Sequence, residues 1–246
     1  MPRIDDLISS ALRSVGSKPL DDSPQSAKKR YSEQLSQVLA EAFAEELRKR
    51  GMAGARPGPA ARDGSGAERR MSGGIGAKKV DVSWATEESG LLLAISVKTI
   101  NFADARTGNF QKNVTNRRGD MLFEAVTLHR RFPYAVLVGF FVLDAAAAAD
   151  ETERRQSTFR NAHHRLRLFT GRDDPAGREE QYERMYVVLF DANASPQTLV
   201  AYEAGQPNSP VPMEAVFNEM VQLVADRDPD FYDVLGGTIK DSRMRG

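Results

Sequence analysis

The run GLLLAISVKT, residues 90–99, limits the fold more than any other stretch. From Leu91 to Val97 it is apolar at every position but Ser96. It is far too short to span a bilayer, which takes about 20 apolar residues. An unbroken apolar run of this length marks a central β-strand buried on both faces, since a half-exposed strand alternates. Lys98 follows at its end, and an ammonium entering a buried strand needs a partner. The preceding KKVDVSW reads as a neighbouring strand over 79–85, joined by a turn near Glu87–Gly90, and this hairpin sets Asp81 beside Lys98.

The rest of the chain fills in around that pair. Residues 3–15 form an amphipathic helix. A second helix runs from about Ser26 or Tyr31 to Arg50, with Tyr31, Leu35, Val38, Leu39, Ala42 and Phe43 as its apolar stripe and Gly51 as its stop. Residues 51–76 are rich in Gly, Ala, Pro and Arg and read as a flexible insert. After the hairpin come a polar loop, a helix from about Asp120 to Arg131 and the strand YAVLVGFFVL. The run AADETERRQSTFRNAHHRLRLF reads as a helix and MYVVLFDA as a strand. TLVAYEAG is an edge strand, PMEAVFNEMVQLVADRD a helix, and the tail is polar. Helices alternating with apolar strands predict one α/β domain, a mixed central sheet flanked by helices.

Composition excludes several classes. The 246 residues, 41% hydrophobic and 28% charged, suit a soluble globular chain. With no cysteine there is no disulfide, thiolate metal site or cysteine nucleophile, and a reducing cytoplasm is the expected compartment. The first residues are acidic early and lack an apolar signal core. Net charge is zero, yet residues 154–172 hold six arginines, two histidines and no acid. Such a block faces phosphate or is simply a solvated helix face. No nucleophile elbow, Walker loop or zinc-ligand motif occurs.

Asp81, fourteen intervening residues and the triplet Ser96-Val97-Lys98 resemble the PD-(D/E)XK nuclease superfamily, which includes many type II restriction endonucleases. The resemblance implies a restriction-endonuclease-like sheet and a Mg2+-dependent endonuclease, with Mn2+ as substitute. It implies cleavage of double-stranded DNA by a homodimer in restriction or defence. It makes Asp81 and the Val97 carbonyl metal ligands and Lys98 the group that orients water or phosphate. Two departures stand out: Ser96 replaces the family acid, and Val80 replaces its proline. Serine-bearing variants resemble a subset in which a carboxylate enters from a neighbouring helix. Glu124 is the candidate for that carboxylate, while Glu46, in the middle of the stripe of the second helix, matches the glutamate that the family's preceding helix adds to the metal site and is the preferred ligand of the two. Glu33, Glu41 and Glu45 lie off the stripe and read as solvated.

For DNA contact the sequence offers Lys112, Asn113, Asn116, Arg117 and Arg118, with Gln111 nearby, side chains suited to phosphates and base edges. His129, His163 and His164 read as core or surface residues, not ligands. The alternative function is a DNA-binding or protein-interaction module with a degraded site, which Ser96 permits.

Overall fold

A computed structural model describes residues 4–59, 70–72 and 77–244. Much of the Gly/Ala/Pro/Arg-rich segment therefore lies outside the described residues, and the expectation of flexibility with it. The chain opens with α1 (Ile4–Val15) and α2 (Gln25–Lys49). A small hairpin follows, β1 (Arg70–Ser72) with β2 (Ala77–Lys79). The main sheet then begins with β3 (Val82–Thr86) and β4 (Gly90–Ile100), and α3 (Val114–His129) leads to β5 (Val136–Asp144). α4 (Thr158–Leu166) leads to β6 (Arg184–Asp191), β7 (Thr198–Glu203) and β8 (Pro210–Val211). The last elements are α5 (Met213–Arg227), β9 (Tyr232–Leu235) and β10 (Thr238–Asp241).

β3 to β8 lie in sequence order across a six-stranded mixed sheet. β4, β5 and β6 are parallel, with α3 and α4 as crossovers, while β3, β7 and β8 run antiparallel to their neighbours. Alternation along the strands sends their side chains into two cores. Leu93, Ile95 and Val97 of β4 join α1, α2 and α5 on one face. Ala94 and Ile100 join α3 and α4 on the other. All residues from Leu91 to Val97 are buried, as the run of apolar residues requires.

Close packing of α3 depends on Gly139, which stands opposite Ser96 in the β4–β5 register. A Cβ there would come within 2.6 Å of the Met121 methyl. The missing side chain gives the Met121 methyl its place against the sheet, and Glu124 follows three residues on in α3.

Three elements depart from the sequence reading. α3 begins at Val114 instead of near Asp120, because Phe110 and Val114 are buried and their packing overrides the weak helix propensities of Thr115, Asn116 and Gly119. α4 is shorter than expected. Asp150 accepts hydrogen bonds from the Thr158 amide (2.6 Å) and hydroxyl (2.5 Å), and Ser157 caps the helix, so the preceding residues are held as loop. The tail forms a β9–β10 hairpin turning on Gly236 and Gly237, both at positive φ (58° and 72°), as a two-residue Gly-Gly loop demands. Tyr232 and Ile239 anchor it in the α2–α5 core, with Tyr232 edge-on to Trp84. No helix among the described residues is long and apolar enough to cross a membrane.

Candidate active site

Asp81 sits one residue ahead of β3, where the β3–β4 ladder stops. With no partner strand beyond Val82, the Val97 amide is left to find another acceptor. It donates to Asp81 Oδ2 at 2.7 Å. Lys98 Nζ donates to the same oxygen at 3.3 Å. In a β-strand the amide and carbonyl of a residue point to the same edge, so the Val97 carbonyl faces the same gap.

Ser96 and Lys98 share the α3 face of β4. Lys98 Nζ lies 3.7 Å from Glu124 Oε2, and Glu124 is almost wholly buried. One ammonium therefore touches two carboxylates, one from the β3 edge and one from α3. Burial by itself would lower the Lys98 pKa, but Glu124 and Asp81 outweigh it and hold the ammonium above its ordinary value. Beneath the cluster lies Tyr182, whose hydroxyl donates to the Met121 carbonyl at 3.1 Å. Burial, then the field of Glu124, pushes its phenol well above the ordinary value, so it stays protonated. Ser96 Oγ is buried beside the Tyr182 hydroxyl.

The cluster opens into a cleft of about 1410 Å³ between α2 and the segment 101–117. Asp81, Val97, Lys98 and Glu124 all line it. So do Lys28 and Lys29 from α2, Lys79, and Lys112, Asn113 and Arg117 from the far wall.

Glu46 is not brought here. The predicted stripe is real, and Glu46 is buried on it, but its carboxylate accepts from Arg50 Nε at 2.7 Å. Arg50 also contacts Glu214 (2.7 Å) and Asn218 (2.5 Å), so Glu46 belongs to a polar lock between α2 and α5. Two α2 carboxylates do line the cleft: Glu33, paired with Lys29 at 3.7 Å, and Glu41, which accepts from Gln37 Nε2 at 3.0 Å. Their signal in the sequence was the small-residue row Ser32, Ser36 and Ala40, at spacing i, i+4, i+8, which marks a helix face that leaves room. Tyr182 had no comparable signal, since only the β6 packing carries it under the site.

The predicted DNA contacts divide. Lys112, Asn113 and Arg117 line the cleft, with Lys112 paired to Asp104 at 2.5 Å and Arg117 to Asp120 at 3.6 Å. Asn116 is exposed but off the cleft. Arg118 turns the other way, its guanidinium 5.8 Å from the Phe169 ring.

Among the described residues, no group of three or more His, Cys, Asp or Glu side chains converges as a metal cage. The donor set that is present, two carboxylates beside a strand carbonyl, fits Mg2+, which commonly takes one or two carboxylates and completes its shell with water and substrate oxygens. It does not fit zinc, which favours nitrogen and sulfur ligands. Comparison with protein-family models, with curated proteins and with solved structures gives no match.

Proposed function

We propose that this chain is a divalent-metal-dependent endonuclease of the PD-(D/E)XK kind, cutting double-stranded DNA. The observation that carries the reading is the contact of Lys98 with both Asp81 and Glu124 inside a cleft whose walls carry Lys28, Lys79, Lys112 and Arg117 among balancing carboxylates. Asp81, Glu124 and the Val97 carbonyl would hold Mg2+, with Glu124 the carboxylate that makes up for Ser96. Bound there, the ion would lower the pKa of a water and neutralise charge developing on phosphorus.

The chain's own groups have distinct tasks. Lys98 remains an ammonium at neutral pH, because its neighbours raise its pKa. It is placed to act by charge and hydrogen bonding on the attacking water or a phosphate oxygen. The Val97 amide and Lys98 fix Asp81 Oδ2 before any ligand arrives, so the carboxylate is preorganised. Lys28, Lys29 and Lys112 along the walls meet the backbone of the nucleic acid.

By family analogy the protein works in the cytoplasm in restriction or defence, as a homodimer with one site per strand. A second reading is a DNA-binding or interaction module that does not cut, and the buried serine at 96 in place of the family acid favours it.

Plasmid nicking with Mg2+ or Mn2+ decides, with Asp81→Asn and Lys98→Ala beside the wild type. Cleavage lost in both variants supports the nuclease. Cleavage that survives both removes this site from the chemistry. Salt-dependent DNA binding without cleavage by the wild type supports the module.

A further inference from the structure

The arginine block of the sequence is only partly absorbed by the fold. Arg172 is buried against Glu183, and Arg155 turns to Asp150. The rest lies on and around α4. Phe159, Ala162, His163 and Leu166 of this helix face the core. Its opposite face carries Arg160, His164 and, in the short 3-10 turn that follows, Arg167, at spacing i, i+4, i+7. All three are exposed, and from Thr158 to Phe169 there is no acid. Neither Arg160 nor Arg167 has an ion-pair partner among the described residues, and Arg154, also exposed, has none.

Other residues of the α4 segment tie it to the cleft rim. Arg165 Nη1 donates to Thr115 Oγ1 at 2.9 Å, and Arg118 stacks on Phe169. Both contacts join the α4 segment to the first turns of α3, whose Arg117 lines the cleft. Unpaired arginines on a rigid helix keep their planar donor fork for an external anion. The stripe extends about 10 Å at 1.5 Å per residue. That is the axial length of about three steps of duplex DNA at 3.4 Å per strand phosphate.

We infer that the outer face of α4 is a phosphate-binding track that receives duplex DNA where it leaves the cleft, with Arg160 and Arg167 as its principal contacts. The inference rests on the nuclease reading of the cleft and adds to it a second, sequence-independent contact. A track of this kind lengthens the footprint and strengthens binding without touching the bond that is cut.

The test measures affinity of the full chain for a 30-base-pair duplex by fluorescence anisotropy, without divalent cation, from low to high salt. Wild type is compared with Arg160→Gln/Arg167→Gln and with a control, Arg13→Gln, an exposed arginine on α1 across the sheet. Loss of two phosphate contacts reduces the slope of log K against log salt by about 1.8. The expected result is that reduction in the double variant, an unchanged slope in the control, and an unchanged single-turnover cleavage rate at saturating enzyme with Mg2+. A double variant with the wild-type slope, or a control that loses as much, overturns the track and leaves the nuclease reading standing if the wild type cleaves. A wild type that neither binds nor cleaves DNA overturns both.

Discussion

Two buried ion clusters lie on this sheet, toward opposite ends of its parallel strands, and they are built for different ends. Lys98 is late in β4, level with Phe141 of β5. Glu183 precedes β6 and meets β5 near its start, where its Oε2 accepts from the Leu137 amide at 2.7 Å. The Glu183 cluster has one carboxylate among cations. Oε1 accepts from Arg172 at 2.8 Å and Arg227 at 3.1 Å, and His129 Nε2 lies 3.4 Å from Oε2. Its Glu183, Arg172 and His129 side chains have essentially no exposure. The Lys98 cluster inverts the ratio, with two carboxylates around one cation, and Lys98 and Asp81 keep 16% and 22% of their side-chain surface in the cleft. A closed cluster with its acceptor oxygens occupied has nothing left to bind. An open cluster with carboxylate in excess attracts a further cation. Its place toward the carboxyl end of a parallel strand is where open α/β sheets gather their ligands.

The sharpest way to break this contrast is to remove each carboxylate in turn. Glu183→Ala leaves Arg172 and Arg227 buried without a counter-charge, and loss of one member of such a group costs about 3–5 kcal/mol. Urea denaturation should show that loss, while the folded fraction retains its cleavage rate. Asp81→Asn should do the reverse. Cleavage should fall by about 10²–10³-fold, the scale for removing one preorganised electrostatic group, with little change in the denaturation midpoint. If Glu183→Ala silences cleavage in fully folded protein, or Asp81→Asn chiefly unfolds the chain, the division into lock and site fails.

The two clusters should also fail at opposite ends of the pH scale. Burial alone would raise the Glu183 carboxyl, but His129, the Leu137 amide and Arg172 outweigh it and hold it below its ordinary 4.5. A lowered carboxylate pKa gives stability that is present above that unfolded value and is lost as pH falls through the folded one. Lys98 is raised above 10.5, so its contribution is complete below that value and is lost as pH rises through its folded pKa. Stability measured from pH 7 to pH 3 should therefore fall less steeply in Glu183→Gln than in wild type. Between pH 7 and pH 10 the metal-free chain should lose no stability through Lys98 deprotonation. A loss of stability that sets in well below pH 10 would mean that Lys98 gives up its proton despite its two carboxylate neighbours.

How far the sequence discloses this molecule differs between the two clusters for a physical reason. The Asp81–Lys98 contact is local: a short hairpin and period-two alternation suffice to put both groups at one strand end. The helix carboxylates are non-local. Periodicity correctly places Glu46 on the buried stripe of α2, but a stripe has no direction along the helix, and whether a carboxylate meets a cleft or an arginine is decided by what packs over each turn. Arg50, four residues on, meets Glu46 first. The Glu183 cluster draws on α3, α5 and the strand starts together, and its members are separated by up to 98 residues of chain between His129 and Arg227, so no window of sequence contains it. The C-terminal hairpin is the opposite case, because the Gly236-Gly237 pair between Tyr232 and Ile239 is a legible turn signal in a stretch that composition alone assigns to a polar tail.

The smallest effects separate two of the glutamates of α2, Glu46 and Glu41. Glu46→Gln keeps an acceptor for Arg50 but removes the charge from a buried pair, which should cost about 1–3 kcal/mol of stability. It should leave cleavage and its Mg2+ dependence unchanged. Glu41 lines the cleft and is held by Gln37, and on the nuclease reading it supports bound ligands through water. Glu41→Gln should leave stability within about 0.5 kcal/mol, as for a surface substitution, and raise the Mg2+ concentration needed for half-maximal cleavage by about 10-fold. Mg2+ titrations of nicking in the two variants, beside their urea midpoints, give four numbers that must fall on opposite diagonals. If the metal requirement moves with Glu46 and not with Glu41, then α2 shifts along its axis when the site fills, and the lock with Arg50 is part of the site after all.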